Sequence, residues 1–146
     1  MNISILDHVD DEIVEAFNRL VPQLSTSAVL PSHQEIEWMV DSDSSIVFIA
    51  RDPQADGKIV GSLTLIVFRI PTGVRAWIED VVVDESVRGQ GVGEALTRAA
   101  LDEARQRGSK TVDLTSRPSR EAANRLYQRM GFVLRYSNLY RYDLTQ

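Results

Sequence analysis

The 146-residue sequence contains no cysteine and only two histidines. Without cysteine, the chain cannot carry disulfides, thiolate zinc sites or a cysteine nucleophile. His8 and His33 lie far apart without the spacing of metal ligands, so no metal site is expected. No apolar run approaches the roughly 20 residues of a membrane span. Residues 1–9 lack the basic and apolar regions of a signal peptide. These absences predict a cytoplasmic protein with no membrane partner.

An excess of basic residues is also missing. Lysine and arginine number 16 against 21 aspartates and glutamates, which gives a formal net charge of −5. Proteins that hold duplex nucleic acid need dense positive charge, so we expect no nucleic-acid partner. A negative chain is compatible with a cationic substrate such as an amine. The length and the 43% apolar fraction suit one packed core, and we predict a single domain over residues 1–146.

Hydrophobic periodicity predicts a mixed α/β chain with the order β-α-α-β-β-β-α-β-α-β-β. A first strand lies around Ile3 and Ile5, and a helix that opens at Asp10 is expected to end at Pro22. A short helix begins at Ser32 or His33 and runs to residue 40. Three strand-like runs, residues 45–51, 58–70 and 74–83, are separated by short turn sequences. They predict an antiparallel meander.

The second half of the chain begins with a change to helical spacing over residues 91–107. Within this helix, Glu94 with Arg98 and Glu103 with Arg107 are spaced as i,i+4 ion pairs. The remaining predicted elements are a strand at 111–115, a helix at 121–130 and closing strands at 132–136 and 140–144.

A glycine-rich loop joins the last meander strand to the following helix. Its residues are Arg88, Gly89, Gln90, Gly91, Val92 and Gly93. Three glycines in five residues let main-chain N–H groups approach a bulky anion. The helix start adds further unpaired N–H groups and the positive end of its dipole. The loop therefore predicts a phosphate cradle, although a tight strand-to-helix turn would also explain the glycines.

Two common nucleotide-binding motifs do not fit this loop. A nucleoside-triphosphate loop ends in Gly-Lys-Ser/Thr, whereas Gly93 is followed by Glu94 and Ala95. A dinucleotide fingerprint that begins at Gly89 requires a third glycine where Glu94 stands. A nucleotide-binding module of another class is therefore disfavoured.

Two separate motifs resemble those of the GNAT acetyltransferases. The first is Arg88-x-x-Gly91-x-Gly93, directly after the strand segment 78–83, and the second is segment 122–132, which ends in Gly131-Phe132. The resemblance implies a mostly antiparallel sheet flanked by helices, with acetyl-CoA as cosubstrate and its pyrophosphate on the loop. It also implies that the pantetheine arm lies along the strand beside a bulge, where it meets Val81, Val82 and Val83. Main-chain groups of Val81 and Val83 would hydrogen-bond it.

The acidic pair Glu79 and Asp80 supplies candidates for the base. An alkylamine has a pKa of roughly 10, so acyl transfer at neutral pH needs a group that removes its proton. Glu79 lies in an apolar strand run, where a carboxylate should have a raised pKa. An exposed strand position or a structural ion pair would also explain it. Resemblance to glucosamine-phosphate and polyamine acetyltransferases implies that the pair faces the amine and that Asp80 orients it. A bulge would prevent strand alternation from deciding between the two acids.

The last predicted helix carries two further candidates. Tyr127 lies on its apolar stripe and is either a core aromatic or, as the resemblance implies, the acid that protonates the departing thiolate. Many family members carry a pantetheine-binding asparagine seven residues before this tyrosine, where Arg120 stands here. Asn124 is a candidate substitute or a solvated residue.

The combined prediction is an N-acetyltransferase that moves the acetyl group of acetyl-CoA to a primary amine by direct attack in a ternary complex. Glu79 is the base and Tyr127 the acid, and the partner is a small-molecule amine or a peptide. Trp38 and Trp77 either wall the acceptor site or belong to the core. The alternatives are a non-catalytic acyl-CoA sensor, and acetylation of a peptide N-terminus or a protein lysine. The resemblance also implies a homodimer.

Overall fold

The computed structural model describes residues 1–146 and divides them into two compact units, Met1–Leu114 and Thr115–Gln146. The helices and strands of the first unit are β1 (Asn2–Ile5), α1 (Asp11–Leu24), α2 (His33–Asp41), β2 (Ser45–Asp52), β3 (Lys58–Ile70), β4 (Gly73–Val83), α3 (Val92–Gln106) and β5 (Val112–Asp113). Their order is the predicted one. No helix combines the length and apolar character needed to cross a bilayer.

The five strands form one sheet in the order β1-β2-β3-β4-β5. The first four pair antiparallel, and β5 pairs parallel to β4. The meander and the mixed, mostly antiparallel sheet are thus confirmed. Residues 46–50 of β2 are all buried, which shows that this strand is covered on both faces. One cluster joins β2 to α1 and α2 through Val47, Ile13 and Ile36.

The helices of the first unit carry the predicted end signals, with one correction. Ser32 caps α2 in a capping box with Glu35. The ion pairs Glu94–Arg98 and Glu103–Arg107 are present at 2.7 and 2.8 Å. The prediction that α1 ends at Pro22 is wrong, since the helix continues to Leu24. Proline removes one main-chain donor, and within a final turn the remaining hydrogen bonds suffice to extend the helix.

The second unit contains one helix, α4 (Glu121–Arg129), and no strand. The predicted strands at 132–136 and 140–144 are therefore wrong. Within this unit, the main chain after Phe132 forms no backbone–backbone hydrogen bond. The tyrosines and leucines of this segment favour strands, but that preference is realised only where a neighbouring strand completes a ladder.

Candidate active site

The β4 strand carries a bulge at the acidic pair. Ser62 of β3 pairs with Val82 of β4, whereas Thr64 pairs with Glu79. The single residue between them on β3 therefore faces two residues on β4. One of the two, Asp80, has φ of 49°, in the left-handed region that aspartate tolerates better than most residues. The bulge that the family resemblance implied is thus present.

The bulge leaves two consecutive carboxylates exposed. Glu79 and Asp80 are both exposed, and neither forms an ion pair or a side-chain hydrogen bond. The apolar surroundings expected for Glu79 are therefore not found, and the structural ion pair is excluded. Strand alternation would have placed the two acids on opposite faces, and the bulge is the reason that both reach solvent.

The edge of β4 that faces away from β3 has a strand partner only in the first half of β4. Strand β5 pairs with β4 only at Ala76 and Trp77. The amide of Asp84 donates to the carbonyl of Val60 on the β3 side at 2.8 Å. Because main-chain groups alternate in direction along a strand, those of Val81 and Val83 point away from β3. The main-chain groups along this edge can therefore hydrogen-bond an extended ligand. Val82, which lies between them in the chain, has a buried side chain.

The loop after β4 presents a run of unpaired amides. The N–H groups of residues 89–94 have no hydrogen-bond partner in the protein, and the first helical bond of α3 runs from the Ala95 amide to the Gly91 carbonyl at 3.0 Å. Gly91 is the N-cap of α3 and contributes no side-chain cap. Unpaired amides at the positive end of a helix dipole are the arrangement that can bind an anion.

The glycines of this loop adopt backbone conformations that other residues disfavour. Gly89 and Gly91 have φ of 80° and 81°, and no atom lies within 4 Å of a β-carbon built at either position. The surface above the loop is therefore open. Arg88 is exposed, and its Nε donates to the Val83 carbonyl at 3.2 Å, which joins the loop to the end of β4. Gln90 is exposed, and Val92 buries its side chain under the loop.

In the second unit, the ring of Tyr127 is buried and its hydroxyl forms no hydrogen bond to the protein. The ring packs edge-on against Phe132, with centroids 5.6 Å apart. Burial raises the pKa of Tyr127, and nearby Arg120 opposes this with a smaller effect. The phenol therefore carries its proton at neutral pH, as a general acid must.

Asn124 makes specific contacts within the second unit. Its Nδ2 donates to the carbonyls of Arg117 and Arg120, at 2.9 and 3.0 Å. Both amide hydrogens are thus engaged at the start of α4, and only the side-chain oxygen remains for a ligand. The alternative of a merely solvated side chain is excluded.

Most of the predicted site residues lie in one continuous segment. Residues 79–93 run from the bulge along the unpaired edge of β4 into the loop and α3. Asn124 and Tyr127 belong to the second unit. Trp38 is 65% exposed and is no core residue, whereas Trp77 is half-buried.

Comparison with known proteins identifies the family. The sequence profile of the Acetyltransferase (GNAT) family matches residues 9–132. The chain belongs to the GNAT acetyltransferase family. This confirms the family predicted from the loop and the Gly-Phe motif, and the match runs through both units.

Individual relatives of this GNAT chain differ in their named activities. N-alpha-acetyltransferase 30 of Schizosaccharomyces pombe is 40% identical over 74 residues, 51% of this chain and 49% of that protein. Probable glucosamine 6-phosphate N-acetyltransferase 2 of Oryza sativa subsp. japonica is 30% identical over 141 residues, 91% of this chain and 82% of that protein. The crystal structure of a Trypanosoma brucei acetyltransferase has a TM-score of 0.79 and 27% identity, covering 98% of this chain and 99% of that one. The chain spans half or less of several curated relatives that it matches.

Proposed function

We propose that this GNAT chain is an acetyl-CoA-dependent N-acetyltransferase that acts on a small primary amine. The observation that carries the proposal is the run of unpaired amides at residues 89–94, which follows the unpaired edge of β4 after one short turn. A pyrophosphate needs several converging N–H donors, and this segment offers them without a β-carbon in the way at Gly89 or Gly91.

The residues present fit acetyl-CoA. Its thioester supplies an activated acetyl group, and its pyrophosphate and pantetheine arm supply the binding contacts. The loop amides would hold the pyrophosphate, with Arg88 and Gln90 exposed beside it. Main-chain groups of Val81 and Val83 would hold the pantetheine arm and polarise the thioester carbonyl.

The acid and base follow from the exposed pair and the buried phenol. In the ternary complex the amine nitrogen forms a bond to the acetyl carbon, and the carbon–sulfur bond breaks. Glu79 takes the proton of the amine, and Asp80 attracts and orients its positive charge. The Tyr127 hydroxyl gives its proton to the departing sulfur. Unpaired carboxylates at the bulge and a phenol that holds its proton support these roles.

The charge of this protein and the named substrates of its relatives indicate the class of the acceptor. Two exposed acids and the net charge of −5 favour a cationic amine. A relative that covers 91% of this chain is named for glucosamine 6-phosphate, a small amino sugar. A second candidate is the amino group of a peptide, which is favoured by the N-alpha-acetyltransferase match of 40% identity.

A screen of thiol release from acetyl-CoA tests the proposal. Amino sugars, polyamines, aminoglycosides, amino acids and peptides are compared at equal concentration. We expect release with at least one small amine, and loss of that release in the Glu79→Gln and Tyr127→Phe variants. Release only with peptides would favour the second candidate. Binding of acetyl-CoA without release from any amine would instead identify a sensor and contradict the proposed enzyme.

A further inference from the structure

A partly buried ion pair joins α1 to the end of β4. Nη1 of Arg19 donates to Oδ2 of Asp84 at 2.7 Å, and Nη2 of the same guanidinium donates to the Ile59 carbonyl at 2.9 Å. The side chain of Asp84 is 6% exposed and that of Arg19 23%. One arginine therefore connects α1 to both β3 and the residue that follows β4.

Asp84 also organises the turn that leads into the glycine loop. Its Oδ1 accepts from the Ser86 amide at 3.0 Å and from the Ser86 hydroxyl at 2.8 Å, and so caps the turn Glu85–Val87. Its own amide donates to Val60 of β3. The main chain four residues before Arg88 is thus fixed by side-chain and main-chain bonds together.

A second side chain of α1 reaches the same turn. Oε1 of Gln23 accepts from the Glu85 amide at 2.9 Å, and its Nε2 donates to the Arg19 carbonyl at 3.3 Å. Gln23 lies one residue beyond Pro22, in the part of α1 that the sequence did not predict to be helical. Two residues on one face of α1, four apart, therefore hold two consecutive residues of the turn.

We propose that Arg19, Gln23 and Asp84 are positioning residues for the cofactor, which set the direction of the loop amides without touching the ligand. The inference rests on the proposed function. A buried ion pair contributes little net stability compared with an apolar pair of similar volume. Its hydrogen bonds instead fix one geometry, and amides that bind a pyrophosphate depend on geometry.

The chain offers a matched control in an arginine of β2 that binds the same helix. Arg51 binds the carboxylate of Glu12 on α1 and the Gly57 carbonyl. Like Arg19, it forms an ion pair between α1 and the sheet and also donates to one main-chain carbonyl. Since none of its partners belongs to the loop or to the end of β4, Arg51→Met should loosen α1 without redirecting the loop amides.

The test compares two ligands that differ in the pyrophosphate. Dissociation constants for acetyl-CoA and for S-acetylpantetheine, which lacks that group, are measured for wild type, Arg19→Met and Arg51→Met. We expect Arg19→Met to weaken acetyl-CoA about tenfold, the loss of roughly one charged hydrogen bond. S-acetylpantetheine should bind each folded variant as it binds wild type, and Arg51→Met should keep the wild-type ratio of the two constants. Gln23→Leu should raise the ratio of the acetyl-CoA constant to the S-acetylpantetheine constant by about threefold. If Arg19→Met does not fold, Gln23→Leu tests the positioning role by itself.

The outcomes separate the two proposals. Equal weakening of both ligands by Arg19→Met would indicate a general structural defect and overturn the positioning role. A wild-type ratio in folded Arg19→Met and Gln23→Leu would overturn it as well. If the wild-type protein itself binds no acetyl-CoA, the proposed function fails, and this inference fails with it.

Discussion

A β-carbon at Gly61 of β3 would lie 3.1 Å from the Cδ1 atom of Leu96 in α3. Such a β-carbon would also lie 3.1 Å from Cγ1 of Val92 and 3.2 Å from the carbonyl oxygen of Val82. Leu96 and Val92 are fully buried in the first turns of α3, directly after the loop. The absence of a side chain at position 61 therefore lets the N-terminal end of α3 pack closely against the sheet.

Gly61→Ala should consequently destabilise the protein by about 1–3 kcal/mol, the usual cost of overpacking a core. The displaced helix start should also weaken acetyl-CoA binding. Urea unfolding measures the first effect and titration with the cofactor the second. Gly57→Ala is the comparison: φ of 75° strains any β-carbon there, but it meets no atom within 4 Å, so this variant should lose stability without losing affinity for the cofactor. Wild-type stability and affinity in Gly61→Ala would contradict the close packing.

The bulge predicts a difference between two substitutions at Asp80. Valine disfavours the left-handed region, so Asp80→Val should lose about 1–2 kcal/mol of unfolding free energy, whereas Asp80→Asn should lose little. Asp56, with φ of 53°, lies outside the site and gives the matched variant Asp56→Val. Both valine variants should unfold at lower urea, but only Asp80→Val should reduce acetyl transfer. Equal urea midpoints for Asp80→Val and Asp80→Asn would mean that the strand is regular there.

The role of Glu79 predicts a particular pH profile. Glu79→Gln should lower kcat/KM about a hundredfold at pH 7, the usual contribution of a general base. The deficit should shrink as the pH approaches the amine pKa of roughly 10, because the amine then loses its proton without help. Asp80→Asn should lower kcat/KM less and leave the profile shape unchanged. A Glu79→Gln profile parallel to that of wild type would refute the base assignment.

The pKa of Asp84 predicts how stability depends on pH. Burial raises this pKa, but the hydrogen bonds from Ser86 and Arg19 together have the larger, opposite effect. The net result is a pKa below the usual value for aspartate. Since the unfolded aspartate has a pKa of about 3.9, the contribution of Asp84 is complete above that pH and is lost as the pH falls through the folded pKa. The difference in unfolding free energy between wild type and Asp84→Asn should therefore be constant from pH 5 to 7 and shrink below about pH 4.

Asp102→Asn, in an exposed pair with Arg105, is the control and should show little difference in unfolding free energy at any pH. A wild-type to Asp84→Asn difference that stays constant down to pH 3 would contradict the lowered pKa.

Local patterns predicted most of this fold. The helical spacing of α3, the turn residues between the meander strands and the Ser32 cap each act within a few residues, so the sequence displays them directly. The prediction of the two closing strands was wrong because strand-favouring residues indicate only that a segment could fit a sheet. They do not supply the neighbouring strand with which it must pair. The predicted end of α1 at Pro22 was wrong because proline usually ends a helix, whereas a final turn tolerates it.

Features of the candidate site could be predicted where main-chain geometry follows from glycine, and could not be predicted where distant side chains meet. The positive φ angles and the open surface of the loop from Arg88 to Gly93 could be predicted from its glycines. Asp84 and Ser86 have the spacing of an Asx-turn and could have been identified. Arg19 could not, since it lies 65 residues away from Asp84 and resembles any surface arginine of an amphipathic helix. The exposed position of Glu79 was one of the alternatives that the sequence left open, whereas the exposure of Asp80 beside it depends on the bulge.

We propose that the amides around Gly91 hold the pyrophosphate of acetyl-CoA, and the functional proposal depends on this contact most of all. Gly91→Asp places a carboxylate at that surface, and Gly108→Asp is the control, with a similar φ of 87° and open space just beyond the other end of α3. The deciding measurement is the shift in melting temperature on addition of acetyl-CoA, with ATP and NAD for comparison. At about 100 times Kd, acetyl-CoA should raise the melting temperature of wild type and Gly108→Asp by roughly 5–10 °C. ATP and NAD should raise neither, and Gly91→Asp should show no shift. A wild-type shift in folded Gly91→Asp would contradict the assignment of the pyrophosphate to this loop.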